Sequence, residues 1–149
     1  MPSERHTARA AGGLRVSLSL RGDYAVRSML ALGRAPEDSL LSAARIAREM
    51  SIPGRFVAHV LTDLVRAGLV VGRAGRAGGY RLGRPADEID LLSIVDASRD
   101  WSEPPRCVLR GGPCDARGRC DVHDAFAAAT EALRAELART TLSELSRRR

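Results

Sequence analysis

Between Ser42 and Leu82 the chain carries two short amphipathic segments, a tight turn between them, and two short apolar runs held apart by a glycine- and arginine-rich stretch. Few folds accommodate that order. Ser42 is placed to cap a helix from Ala43 to Met50, because a serine oxygen accepts from an otherwise unsatisfied first-turn N–H. Ile46, Ala47 and Met50 form its inward face. Ser51-Ile52-Pro53-Gly54 is a turn whose proline suits the start of the next helix. That helix extends to about Ala67, with Phe56, Val57, Val60, Leu61 and Leu64 at core spacing and Gly68 as its stop. Two helices joined so closely predict a helix-turn-helix. Leu69-Val70-Val71 and Tyr80-Arg81-Leu82 then read as two strands around Gly72-Arg73-Ala74-Gly75-Arg76-Ala77-Gly78-Gly79, a hairpin in the position of a wing.

The flanking segments complete a mainly α fold with one small β-hairpin. Residues 1–15 lack apolar periodicity and are expected to be a disordered extension. From Asp23 an amphipathic pattern sets in, with Tyr24, Val26, Met29, Leu30 and Leu32 on one face, ending near Gly33. A further helix is expected from Ile89 to Ala97, closing a winged helix-turn-helix domain over residues 16–100. After a cysteine-rich loop (residues 101–123) comes the longest periodic run, about Asp121 to Arg139, in which Val122, Phe126, Ala129, Leu133 and Leu137 recur every three or four residues. Its flank of Ala125, Ala127, Ala128 and Ala132 lets two helix backbones approach closely, so residues 121–145 read as a dimerisation helix and tail. The alternative is a helix folded back on its own domain. Thr141-Leu142-Ser143-Glu144 has the form of a capping box.

Charge narrows the function. All 24 basic residues are arginine, set against 18 acidic ones, and the resulting +6 favours a polyanionic partner. No apolar run approaches the roughly 20 residues of a membrane-spanning helix, and the start of the chain lacks a secretory signal. Three clustered cysteines suit a reducing cytosol better than a disulfide framework. A cytoplasmic protein is expected. The basic residues are not spread evenly: between Asp63 and Asp87 there is no acid, but Arg66, Arg73, Arg76, Arg81 and Arg84 are present. Such a stripe beside a helix-turn-helix predicts steeply salt-dependent binding to double-stranded DNA. On the second helix of the motif, Arg55, Ala58, His59 and Thr62 point outward. Arg55 can pair with guanine O6 and N7, and His59 and Thr62 can reach a base edge or phosphate. In the wing, Arg73, Arg76 and Arg81 are the candidate DNA contacts.

The cysteine loop, CVLRGGPCDARGRCDVH, places Cys107, Cys114, Cys120 and His123 within seventeen residues. Thiolates and imidazole favour zinc or an iron–sulfur cluster over hard cations. Both remain open on ligand type, as does reversible oxidation of the thiols themselves. A third alternative is a cluster-free module whose loop docks another protein. An enzyme is not expected: neither a phosphate-binding glycine loop nor a paired-carboxylate site is evident.

Leu18-x-x-x-Gly22-x-Tyr24-Ala25-Val26-Arg27, Ile46-Ala47 before Ile52, Gly68-Leu69-Val70 and Gly78-Gly79-Tyr80-Arg81-Leu82 resemble the IscR/NsrR family of bacterial transcription regulators. So do the three-cysteine loop with His123 and the ending Thr141-Leu142-x-Glu144-Leu145. The resemblance covers about Val16 to Leu145. It implies a winged-helix homodimer, crossed through its long helix, on a near-palindromic operator. It also implies an iron–sulfur cluster, 2Fe–2S in preference to 4Fe–4S, whose state controls DNA binding in response to nitric oxide, redox or iron–sulfur status, most simply in a repressor. Cys107, Cys114 and Cys120 match the cluster cysteines, and His123 the histidine ligand of IscR-like members. Asp23 stands where NsrR-like members supply a carboxylate from the other subunit, and is the alternative fourth ligand. Two departures are visible. The gap from Cys107 to Cys114 holds six residues, against five in the cluster-assembly regulators, and Ala74 stands where the wing arginine of the family lies, between Arg73 and Arg76. Family members begin near Val16, so residues 1–15 are expected to come from a mis-assigned start.

Overall fold

A computed structural model describes residues 16–98, 107, 109 and 118–148. The extension at residues 1–15, Cys114 and most of the cysteine loop lie outside these residues. The described chain is mainly helical: α1 (Leu20–Arg34), α2 (Ala43–Glu49), α3 (Gly54–Arg66), β1 (Val70–Arg73), β2 (Gly79–Leu82), a 3-10 turn (Ala86–Glu88), α4 (Leu91–Ala97), α5 (His123–Arg139) and α6 (Leu142–Arg147). α1 begins three residues ahead of the amphipathic stripe, because Ser19 caps it: its hydroxyl accepts from the Gly22 N–H at 3.1 Å. Ser42 caps α2 through the Arg45 N–H at 3.2 Å. α4 begins after Ile89, capped by Asp90 from the Ser93 N–H. The α3 stop is a glycine in the left-handed region, Gly68 at φ +72°.

One core holds the body together. α3 buries Val57, Val60, Leu61 and Leu64 and packs chiefly on α1 and α2, where Ala25, Met29 and Ile46 are fully buried. The two strands pair antiparallel, Val70 opposite Leu82 and Arg73 opposite Gly79. Sequence predicts a hairpin alone, but a further bridge anchors its root. The Tyr80 N–H donates to the Leu41 carbonyl at 2.8 Å, and the Leu41 N–H donates to the Tyr80 carbonyl at 3.0 Å. Gly79 makes that approach possible: at φ +149°, a Cβ there would lie 2.7 Å from the Leu41 carbonyl oxygen. α1, α2, α3 and the bridged hairpin form a winged helix-turn-helix.

The C-terminal segment returns to this body. The Thr141 capping box is present, with side-chain and backbone bonds in both directions to Glu144. α6 packs on α1 and on the 3-10 turn. Leu142 is fully buried and its N–H donates to the Ile89 carbonyl at 2.8 Å. A leucine so enclosed leaves a cavity when truncated. Leu142→Ala should therefore lower the unfolding free energy by about 2–5 kcal/mol, read as a shifted urea midpoint.

Candidate nucleic-acid interface and cysteine site

α3 is the only helix of the motif with one face wholly buried and the other open along its length. Arg55, Ala58, His59 and Thr62 are all exposed, as the spacing predicts. The Arg55 guanidinium carbon lies 4.8 Å from the Phe56 ring centroid, a cation–π placement that holds it at the start of the helix. Phe56 in turn stacks at a tilt on Tyr24, 5.6 Å between centroids. No side chain caps the α3 N-terminus, so its first turn suits an external anion such as phosphate. Asp63 is the one acid on α3. It accepts from Arg21 Nε at 2.8 Å and faces an Arg66 nitrogen at 3.9 Å, tying the start of α1 to the reading helix.

The wing stands beside this helix with Arg73, Arg76 and Arg81 exposed, and Arg84 just beyond. Among the described residues no carboxylate pairs with Arg55, Arg73, Arg76, Arg81 or Arg84. Their charge is thus available to phosphates. A groove of about 560 Å³ separates α3 from the wing, lined by Thr62 and Val65 on one side and by Arg73, Arg76 and Tyr80 on the other. Val65, 40 % exposed, escapes a reading that treats apolar residues of an amphipathic helix as core. Its register with Ala58 and Thr62 is the signal that places it outward.

At the cysteine site, Cys107 and Cys120 are each 6 % exposed. Cys120 precedes α5, and its carbonyl accepts from the His123 N–H at 3.0 Å, which sets the half-buried imidazole in the helix's first turn. Among the described residues no three histidine, cysteine or acidic side chains converge on one point; the third thiol, Cys114, lies outside them. Asp23 sits within α1 and is engaged. Arg27 holds it through Nε at 3.1 Å and Nη2 at 2.9 Å, and donates from Nη1 to the Met50 carbonyl at 3.3 Å. The described part of the site connects to the reader through helices. Arg134 of α5 grips Asp96 of α4 with two bonds, 3.2 and 2.9 Å. Asp96 raises the Arg134 pKa above its ordinary value, first by hydrogen bonding and then by its charge. α4 packs on α1 and α3.

Comparison with known proteins agrees with this architecture. A family model described as Rrf2, iron-dependent transcriptional regulator, matches residues 18–148. The chain belongs to the Rrf2 family. It is 32 % identical over 134 residues to an HTH-type transcriptional regulator of Mycobacterium tuberculosis, covering 87 % of this chain and 80 % of that protein. Against the HTH-type transcriptional regulator IscR of Yersinia pestis, identity is 29 % over 128 residues, 86 % of this chain and 77 % of IscR. The crystal structure of the oxidized form of Staphylococcus aureus CymR superposes with a TM-score of 0.68 at 25 % identity, covering 89 % of this chain and 97 % of that one. As an Rrf2 protein, this chain is a DNA-binding transcriptional regulator and not an enzyme. No described helix is long and apolar enough to cross a membrane.

The open guanidinium groups make a quantitative demand on DNA binding. Replacing Arg73 and Arg76 together by alanine should lower affinity for any duplex. It should also flatten the plot of log affinity against log salt by about 1.8 for each chain bound to the duplex, roughly 0.9 for each phosphate left without its arginine, as measured by fluorescence anisotropy across a salt series.

Proposed function

We propose that this Rrf2 regulator is a cytoplasmic repressor whose operator affinity follows the state of an iron–sulfur cluster held by Cys107, Cys114, Cys120 and His123. The observation that carries the reading is the donor set. Cys107 and Cys120 are both withdrawn from solvent, and at the foot of α5 an imidazole is fixed one turn from Cys120. Soft donors shielded from solvent fit such a cluster. When bound, the cluster supplies a centre that nitric oxide or oxidants can attack. The protein's own part is mechanical. Cys120 and His123 fix the start of α5, Arg134 and Asp96 fix α5 to α4, and α4 bears on both α1 and the reading helix. Asp23 of the other subunit is the alternative fourth ligand, and would have to exchange its Arg27 partner to serve.

The regulator acts as a homodimer on a near-palindromic operator. α5 supports this: none of its residues is buried, Phe126 and Leu133 are 37 % and 38 % exposed, and α4 is its main neighbour in the described chain. A helix about 25 Å long with an alanine-lined apolar strip calls for a second copy. Val16, Leu18 and Leu20 are exposed apolar groups of the same kind. Reversible oxidation of the thiols is the second reading; the structure of one relative, Staphylococcus aureus CymR, is of an oxidized form.

Protein purified without oxygen should be coloured and carry iron and sulfide, and nitric oxide should change both its visible spectrum and its operator affinity. The Cys107→Ala, Cys114→Ala, Cys120→Ala triple variant should lose the colour and the response. Colourless wild-type protein with unchanged DNA binding after nitric oxide would rule the cluster out. For the dimer, Phe126→Glu with Leu133→Glu should shift the sedimenting species from dimer to monomer.

A further inference from the structure

The outward face of α3 is divided along its length. Ala58, Thr62 and Val65 fall at i, i+4 and i+7, which places them in one row on the helix surface. All three are exposed. Arg55, His59 and Arg66 make the neighbouring row. In the first row the only polar atom is already used: the Thr62 hydroxyl donates to the Ala58 carbonyl at 2.8 Å. With its oxygen turned onto the helix's own backbone, Thr62 shows its γ-methyl to the outside. The row is thus a strip of methyl groups, the Ala58 β-carbon, the Thr62 γ-methyl and the Val65 side chain, along the edge of the groove that separates α3 from the arginine-bearing wing.

A strip of methyls on a reading helix has few complements in duplex DNA. In the major groove, the thymine C5-methyl is the one apolar group that a base pair presents, and alanine and threonine methyls are suited to it. Phosphate, base acceptors and base donors would gain nothing from this row. The wing arginines beside it supply the attraction that brings a duplex there.

We propose that Ala58 and Thr62 specify thymine by methyl-to-methyl contact, with Arg55 reading a guanine one helical turn or two away. The assignment rests on the DNA-binding reading of the chain and adds the base chemistry of its half-site. From Arg55 to Thr62 the helix advances about 10 Å, so the guanine and the thymines lie within roughly three base pairs of each other.

The test starts from a random-sequence duplex library selected on the intact protein. Single dT→dU replacements, which delete only the C5-methyl, are then made through the selected half-site. At one or two positions dU should weaken binding about fourfold, the value of one methyl removed from water. Thr62→Ser keeps the hydroxyl and its bond to Ala58 but lacks the γ-methyl. In that variant the dU penalty at one of those positions should disappear. A selected site lacking thymine near the guanine, or one in which every dT→dU change is neutral, overturns the proposal while sequence-selective binding stands. So does a dU penalty that Thr62→Ser leaves unchanged at every position, since that reports DNA shape and not contact. Selection that yields no sequence preference overturns the proposal together with the DNA-reading role of α3.

Discussion

The arrangement turns on how α3 is held. Val57, Val60, Leu61 and Leu64 leave solvent together against α1 and α2, and burial of four branched side chains fixes both the height and the rotation of the helix. Rotation is the critical quantity. Turning α3 by one residue, about 100°, would carry Ala58 and Thr62 into the buried places of Val57 and Leu61 and push Val60 out to the exposed place of His59. The contacts made by Asp63 to Arg21 and Arg66 act in the same sense at the surface, but exposed pairs contribute little to stability. The apolar face sets the orientation.

The wing depends on a different kind of contact. Its strands are short, and a two-stranded hairpin is marginal alone. The Leu41–Tyr80 bridge makes Leu41 a rudimentary third strand, and the buried Leu41 and Val70 side chains join it to the core. The arginines are therefore carried on a base that is part of the body.

Much of this was legible in the sequence because it is written in short-range periodicity. The helix-turn-helix, the Ser42 and Thr141 caps and the Gly68 stop all follow from patterns within a few residues. The α1 start is less legible, because Leu20 and Arg21 fall outside the apolar stripe and only the Ser19 cap marks the boundary. Two features depend on distant partners and could not be read locally. Leu142 looks like any leucine in a terminal turn, yet it closes the core through Ile89. Tyr80 looks like a strand residue, but its pairing with Leu41 requires the fold. For the candidate cluster site, spacing names the donors, while the burial of Cys107 and Cys120 is a tertiary property that spacing does not carry.

The double bond between Arg134 and Asp96 has a mechanical corollary. A guanidinium and a carboxylate joined in a plane resist twisting, so α5 meets α4 at a fixed pivot. The foot of the helix at His123 lies about 16 Å from that pivot. By simple leverage, a tilt of roughly 5° swings the foot by about 1.4 Å, so ångström-scale movement at the thiols translates into angular movement where α5 meets the rest of the fold.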